Sequence, residues 1–218
     1  MTCPAAPELL TPPHPRPPLA PSEASGRRSE SNHDSSAGTP HAQRVLAAAR
    51  EILNQGDALL LSLTPDVYAA EVPVVFNASI GRHYRHCLDH FGCLLDGFGR
   101  DLVDYDRRAR DPRLEREPGF ARVVTQQLLR RLEALPPDAL GAPISARCEV
   151  SYLPGDAPVT QSTLGRELVY AIAHGIHHYA IISVMARLLN APMPAHFGVA
   201  PSTVTHQERV ADHGVRCP

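Results

Sequence analysis

Apolar residues return at helical spacing in four stretches of the chain, and polar or proline-rich segments separate them. The first is QRVLAAAREILNQGDALLLSL, where Val45, Leu46, Ala49, Ile52, Leu53 and Leu59 share a face and strong helix formers fill the gaps. Pro65 and Pro73 bracket a short connector. The period then resumes over VVFNASIGRHYRHCLDHFGCLLDGF, with Phe76, Ile80, Cys87, Phe91, Leu94 and Phe98 on one side and an end expected near Gly97 or Gly99. A third helix, FARVVTQQLLRRLEAL, stops at Pro136 and Pro137. The fourth runs through STLGRELVYAIAHGIHHYAIISVMARLLN, with Ser162 or Thr163 as its N-cap and Asn190 and Pro192 closing it.

Between the second and third helices, DYDRRARDPRLEREPG is dense in both charges and reads as a solvated loop; its RRAR run at 107–110 could meet an anionic substrate, but the alternation with acids favours simple solvation. Before the fourth, ISARCEVSYLPGDAPVT alternates around the turn signal Pro154-Gly155-Asp156 and predicts a small β-hairpin. The expected architecture is mainly all-α: an antiparallel four-helix bundle over residues 41–206, with the hairpin inserted ahead of the last helix. Residues 1–40 hold nine of the 22 prolines and almost no aliphatic side chain after Leu19, so they are expected to form a disordered Pro/Ser-rich extension. Residues 207–218 are expected to be a flexible tail.

Composition narrows the function. The formal charge of −2 and the absence of a clustered basic face argue against a nucleic-acid partner. No run approaches eighteen apolar residues and the first thirty lack the pattern of a secretory signal, so no membrane partner is expected and the cytoplasm is the expected location. The five cysteines are odd in number and follow no framework spacing, as free thiols do. No phosphate-binding glycine loop, nucleophile elbow or dinucleotide fingerprint is present.

The twelve histidines carry the chemical signal, because six fall in two clusters: His83, His86 and His90 on the second helix, His174, His177 and His178 on the fourth. At about 100° per residue, His83, His86, His90 and Cys93 lie within a stripe of roughly 80° beside the apolar face. Glu167, His174, His178 and Met185 form a narrow line on the fourth helix, while His177 points away. Two imidazoles at i and i+4 can share one ion, and a third from a facing helix makes a three-ligand site with open positions. His86 with His174 and His178 is the expected metal set. His83, His90 and His177 are candidates for the layer behind it, and Cys87 and Cys93 read as buried apolar residues. HGIHH lacks the glutamate of the HExxH zinc-protease helix. Glu167, one heptad before His174, is the candidate catalytic carboxylate: a base, a ligand or an orienting group, or else only a first-turn helix acid.

SIGRHYRHCLDHF followed far downstream by HGIHHYAII resembles the DinB-like (YfiT-related) metalloprotein superfamily, and the resemblance extends over roughly 43–190 and to the tail HFGVAPST. It implies a four-helix bundle in which His86 is the first ligand and His174 and His178 the paired ligands of a divalent metal, zinc, nickel or iron. Relatives that use a low-molecular-weight thiol at the metal make a thiol S-transferase the expected activity, with a small-molecule substrate and a homodimer as the expected assembly. Metal-assisted hydrolysis with Glu167 as base, and a non-catalytic metal-stabilised bundle acting in protein interaction, are the alternatives.

Overall fold

The computed structural model describes residues 38–100 and 102–214. The predicted extension up to residue 37 and the last four residues of the predicted tail lie outside them. Four long helices dominate: α1 (Gly38–Ser62), α3 (Ile80–Gly97), α5 (Pro118–Glu133) and α6 (Leu164–Leu188). Short helices α2 (Pro65–Ala69) and α4 (Arg113–Arg116) fill the connections, and α7 (Pro201–Gly214) follows α6. The long helices pack in a closed ring, α3 on α6, α6 on α1, α1 on α5 and α5 on α3.

Local chemistry sets the ends of these helices. Ser79 caps α3 by accepting from Arg82 N, and Thr163 caps α6 by accepting from Arg166 N, so Thr163 and not Ser162 is the start signal. Pro118 sits at the first position of α5, where its missing N–H costs nothing. The second helix begins later than its apolar pattern suggests. Residues Pro73–Val75 form a 3-10 turn, Phe76 and Asn77 take left-handed backbone, and Val72 bridges Ala78 before Ser79 opens α3. Phe76, expected on the buried face, is 94% exposed in consequence.

The predicted hairpin is present as β2 (Pro143–Arg147) and β3 (Val159–Thr163), paired antiparallel from Pro143↔Thr163 to Arg147↔Val159. It gains a third strand where no element was expected, just ahead of the charged loop. β1 (Leu102–Asp104) joins the other edge of β2 in parallel, with Val103 fully buried. Three residues are too short for alternation to show, and the charges that follow mask them. The sheet thereby ties the start of the charged loop to the residues just before α6. A further difference lies at the far end, where α7 carries helix across residues 207–214 of the expected flexible tail.

Helix α6 is long and apolar enough to cross a membrane by length and composition alone. Its apolar side is spent inside the protein, since Leu164, Leu168, Ala171, Tyr179, Ile182, Met185 and Ala186 are all buried. Tyrosines knot the helices together around it. Tyr84 on α3 stacks parallel to Tyr179 on α6 and shares a hydrogen bond of 2.9 Å with Thr125 on α5, while the Tyr179 hydroxyl donates to Ile52 O on α1 at 3.1 Å. Each of these hydroxyls is buried and each has a partner, as burial requires. Past α6, Gly198 takes positive φ and lies against the Tyr179 backbone, which lets Phe197 stack on the Tyr179 ring at 4.5 Å.

Gly56 of α1 makes room for this knot, because a Cβ there would overlap the hydroxyls of both Tyr179 and Tyr84. Gly56→Ala is therefore expected to lower unfolding free energy by about 1–3 kcal/mol in spite of the helix propensity it gains. Urea denaturation followed by circular dichroism measures this, and a neutral or stabilising result would show that the knot is loose.

Candidate metal centre

The Tyr84–Tyr179 stack sets the rotation of α3 and α6, and the histidines beside those tyrosines turn toward one another. His86 from α3 and His174 and His178 from α6 each offer a ring nitrogen, and the three nitrogens lie within 4.8 Å of one another. His174 Nε2 is 2.9 Å from His86 Nε2. His178 uses Nδ1 to meet His83 Nδ1 at 3.0 Å, which leaves its Nε2 for the cluster. A tetrahedral ion with bonds of about 2.0–2.1 Å separates its donors by about 3.3 Å, so the His86–His174 pair needs to open by only a few tenths of an ångström to share one.

The surroundings have the character of a metal site's outer layer. His83 backs His178, and His90, 4% exposed, packs against both His86 and His174 with ring centroids at 4.6 and 4.1 Å. His177 is exposed and touches the cluster only through the edge of His178. Cys87 is buried and Cys93 half-buried, and neither belongs to the close group. Glu167 does not belong to it either: it is 8% exposed, and its Oε2 accepts a 2.8 Å hydrogen bond from the Tyr105 hydroxyl.

Three residues join the site beyond those expected from the sequence, Tyr105, Tyr170 and Arg108. Tyr105 stacks on His90 at 5.1 Å, and Tyr170 leans on His174 at 5.6 Å, so an aromatic wall joins Glu167 to the imidazoles. Arg108, from the loop read as merely solvated, donates to His86 Nδ1. The alternating charges of that loop hid the difference between one inward arginine and its outward neighbours Arg107 and Arg110, which are exposed. Strand β1 is what turns the chain so that Tyr105 and Arg108 face α3.

Crowded together, the imidazoles are held neutral. Burial pushes His86, His90 and His178 each down to about 3, with further lowering from neighbouring histidines and, at His86 and His90, from Arg108. His83 and His174 are lowered for the same first reason. Neutral imidazole is the form that binds a metal. Five buried side-chain atoms lack a hydrogen-bond partner among the described residues: His83 Nε2, Arg85 Nε, Asp89 Oδ2, His90 Nδ1 and Arg108 Nε. Arg85 and Asp89 lie 3.6 Å apart as an ion pair, and the other three, His83 Nε2, His90 Nδ1 and Arg108 Nε, belong to residues that contact the histidine group. Donor type and spacing fit a divalent ion on His86, His174 and His178.

Beyond the aromatic wall, a cavity of about 350 Å³ opens between the sheet and α6, lined by Tyr105, Ala146, Cys148, Arg166, Glu167 and Tyr170 among others. It borders the centre through Tyr105 and Tyr170.

The lowered imidazoles make the metal-free protein acid-sensitive. Unfolded histidines take up protons near pH 6.5 while the folded ones resist until about 3, so folding stability is fullest above 6.5 and falls as pH drops through that window. Thermal melts of metal-free protein between pH 7.5 and 5 are expected to show a falling Tm, with a shallower slope in His90→Asn. A Tm independent of pH in this range would mean that the cluster is open to water.

Residues 53–182 match the DinB superfamily, a span that includes all three histidines of the close group. Over 105 residues the chain is 31% identical to FK506-binding protein 5 of Rhizopus delemar, a match that takes in 48% of this chain and 27% of that protein. The chain thus spans about a quarter of the length of that curated relative. A crystal structure of a DinB-like protein from Bacillus subtilis shares the fold with a TM-score of 0.53 at 16% identity, over 72% of this chain and 99% of that one. The family match covers more than half of the sequence and holds both histidine helices, and the chain belongs to the DinB superfamily.

Proposed function

We propose that the protein is a divalent-metal-dependent enzyme of the thiol S-transferase type, acting in the cytoplasm on a small electrophilic substrate. The observation that carries the reading is the convergence of three neutral imidazoles from α3 and α6 on one point. The ring of packing among α1, α5, α3 and α6 supports an antiparallel four-helix bundle of the DinB kind around it.

His86, His174 and His178 would hold zinc, nickel or iron, for all of which imidazole is a suitable ligand. A bound divalent ion lowers the pKa of a coordinated thiol and leaves it a nucleophile at neutral pH. The chain's own groups do the rest. His83 and His90 hold the ligand rings in place from behind, as the partners of metal-bound imidazoles commonly do. Tyr105 fixes the Glu167 carboxylate at the cavity wall, where it is placed to take the thiol proton. The thiol sulfur forms a bond to an electrophilic carbon of the substrate, and the leaving group departs with the electron pair of the bond that breaks.

Protein purified without a histidine tag is expected to carry about one zinc, nickel or iron per chain by elemental analysis, and the His174→Ala, His178→Ala double variant to carry none. The metal-loaded wild type should consume a small thiol in the presence of an activated aryl halide, and Glu167→Gln should slow that rate about 10²–10⁴-fold with metal content unchanged. Turnover of ester or amide substrates without any thiol would favour the hydrolytic alternative. Loaded protein inactive in both assays would leave a metal-stabilised interaction module.

A further inference from the structure

The hydrogen bonds of His86 place its proton where an ion would sit. Arginine has donors and no acceptor, so the His86 Nδ1 that receives Arg108 carries a lone pair, and His86 holds its proton on Nε2. That Nε2 is 2.9 Å from His174 Nε2, which accepts from it. The proton thus lies between the two nitrogens that a metal would join. A histidine bound to a metal through Nε2 carries its proton on Nδ1 and has no lone pair there for a guanidinium. Binding through Nδ1 would put the ion where the guanidinium already is. By either nitrogen, His86 takes up a metal only after Arg108 lets go.

The loop gives the released guanidinium a second seat. Arg108 is half-buried, makes no ion pair among the described residues, and its Nε is buried without a hydrogen-bond partner. Asp89 comes three residues after His86 on α3, a spacing that makes the two side chains neighbours on the helix surface. The loop runs past it, because Arg107 and Ala109, on either side of Arg108, line a cavity of about 360 Å³ together with Asp89. The Asp89 side chain is buried, its Oδ2 makes no hydrogen bond, and the Arg85 that stands 3.6 Å away is engaged by Glu115 as well. A buried carboxylate with an unbonded oxygen is the partner a withdrawn guanidinium needs.

We propose that Arg108 is a latch on the metal centre: it holds His86 in the tautomer that excludes an ion, and it moves to Asp89 when His86 takes one up. In the exchange His86 loses the proton on Nε2 and gains one on Nδ1, so its charge is unchanged. The guanidinium charge passes from beside a dication onto a carboxylate. Tyr105, which holds Glu167, precedes Arg108 by three residues in the segment after β1, so the latch links metal uptake to the residue that fixes that carboxylate. This deepens the reading of His86, His174 and His178 as metal ligands and rests on it.

Two measurements on the full-length chain test the latch: imidazole nitrogen-15 shifts of the metal-free protein, with His86 assigned by its loss in His86→Gln, and zinc affinity by competition with a chromophoric chelator. Metal-free wild type should show His86 protonated on Nε2. Arg108→Met, which removes the donors and keeps most of the stem, should bind zinc about ten-fold or more tightly than wild type, and Arg108→Ala should do the same. Asp89→Asn should weaken zinc about ten-fold in the wild type and have little effect in Arg108→Met, where no guanidinium is left to receive. Charges acting independently through the field would instead give additive effects. Circular dichroism melts establish that each variant folds. A metal-free His86 carrying its proton on Nδ1, or Arg108 variants that bind zinc no more tightly than wild type, would overturn the latch and leave the metal centre standing. Absence of zinc binding in both wild type and Arg108→Met would overturn the metal reading, and the latch with it.

Discussion

The stacked tyrosines Tyr84 and Tyr179 decide how α3 and α6 face each other, and almost everything at the histidine cluster follows from that contact. Each ring is fully buried, and each hydroxyl is tied to a third helix, Thr125 of α5 or Ile52 of α1. Neither helix can rotate about its axis without breaking a buried hydrogen bond. His83 and His86 lie one and two residues from Tyr84, and His178 precedes Tyr179, so fixing the tyrosines fixes the imidazoles. Gly56 and Gly198 serve the same contact by letting α1 and the segment after α6 come close to it.

The arrangement held this way is costly without a ligand. Five imidazoles are brought together at the border of the core, which suppresses their protonation, and His83 Nε2 and His90 Nδ1 among them are buried without a hydrogen-bond partner in the described residues. A fold that needed these residues only for packing would satisfy them or replace them with apolar side chains. A divalent ion on His86, His174 and His178 would meet the lone pairs that these neutral imidazoles offer.

Much of this was legible in the sequence, for identifiable reasons. The four long helices announce themselves by period and by caps such as Thr163 and the prolines at 136 and 137. The histidine pair at 174 and 178 and the trio at 83, 86 and 90 sit at spacings that place them on one face. The start of α3 was misplaced because Phe76 keeps the apolar period although left-handed backbone at 76 and 77 has already turned the chain outward. β1 was missed because three residues give alternation nothing to show. With it went Tyr105 and Arg108, since their role depends on a strand pairing between residues about forty apart in sequence, Val103↔Ala146. Glu167 was found by spacing alone, but its partner Tyr105 was not.

The most direct test of the metal centre is diffraction from crystals of zinc-loaded protein, with anomalous data collected on both sides of the zinc absorption edge. The account predicts one strong peak bonded to a nitrogen each of His86, His174 and His178 at about 2.0–2.1 Å. A peak held instead by His83, His90 or His177, or no peak among the helices at all, would contradict it.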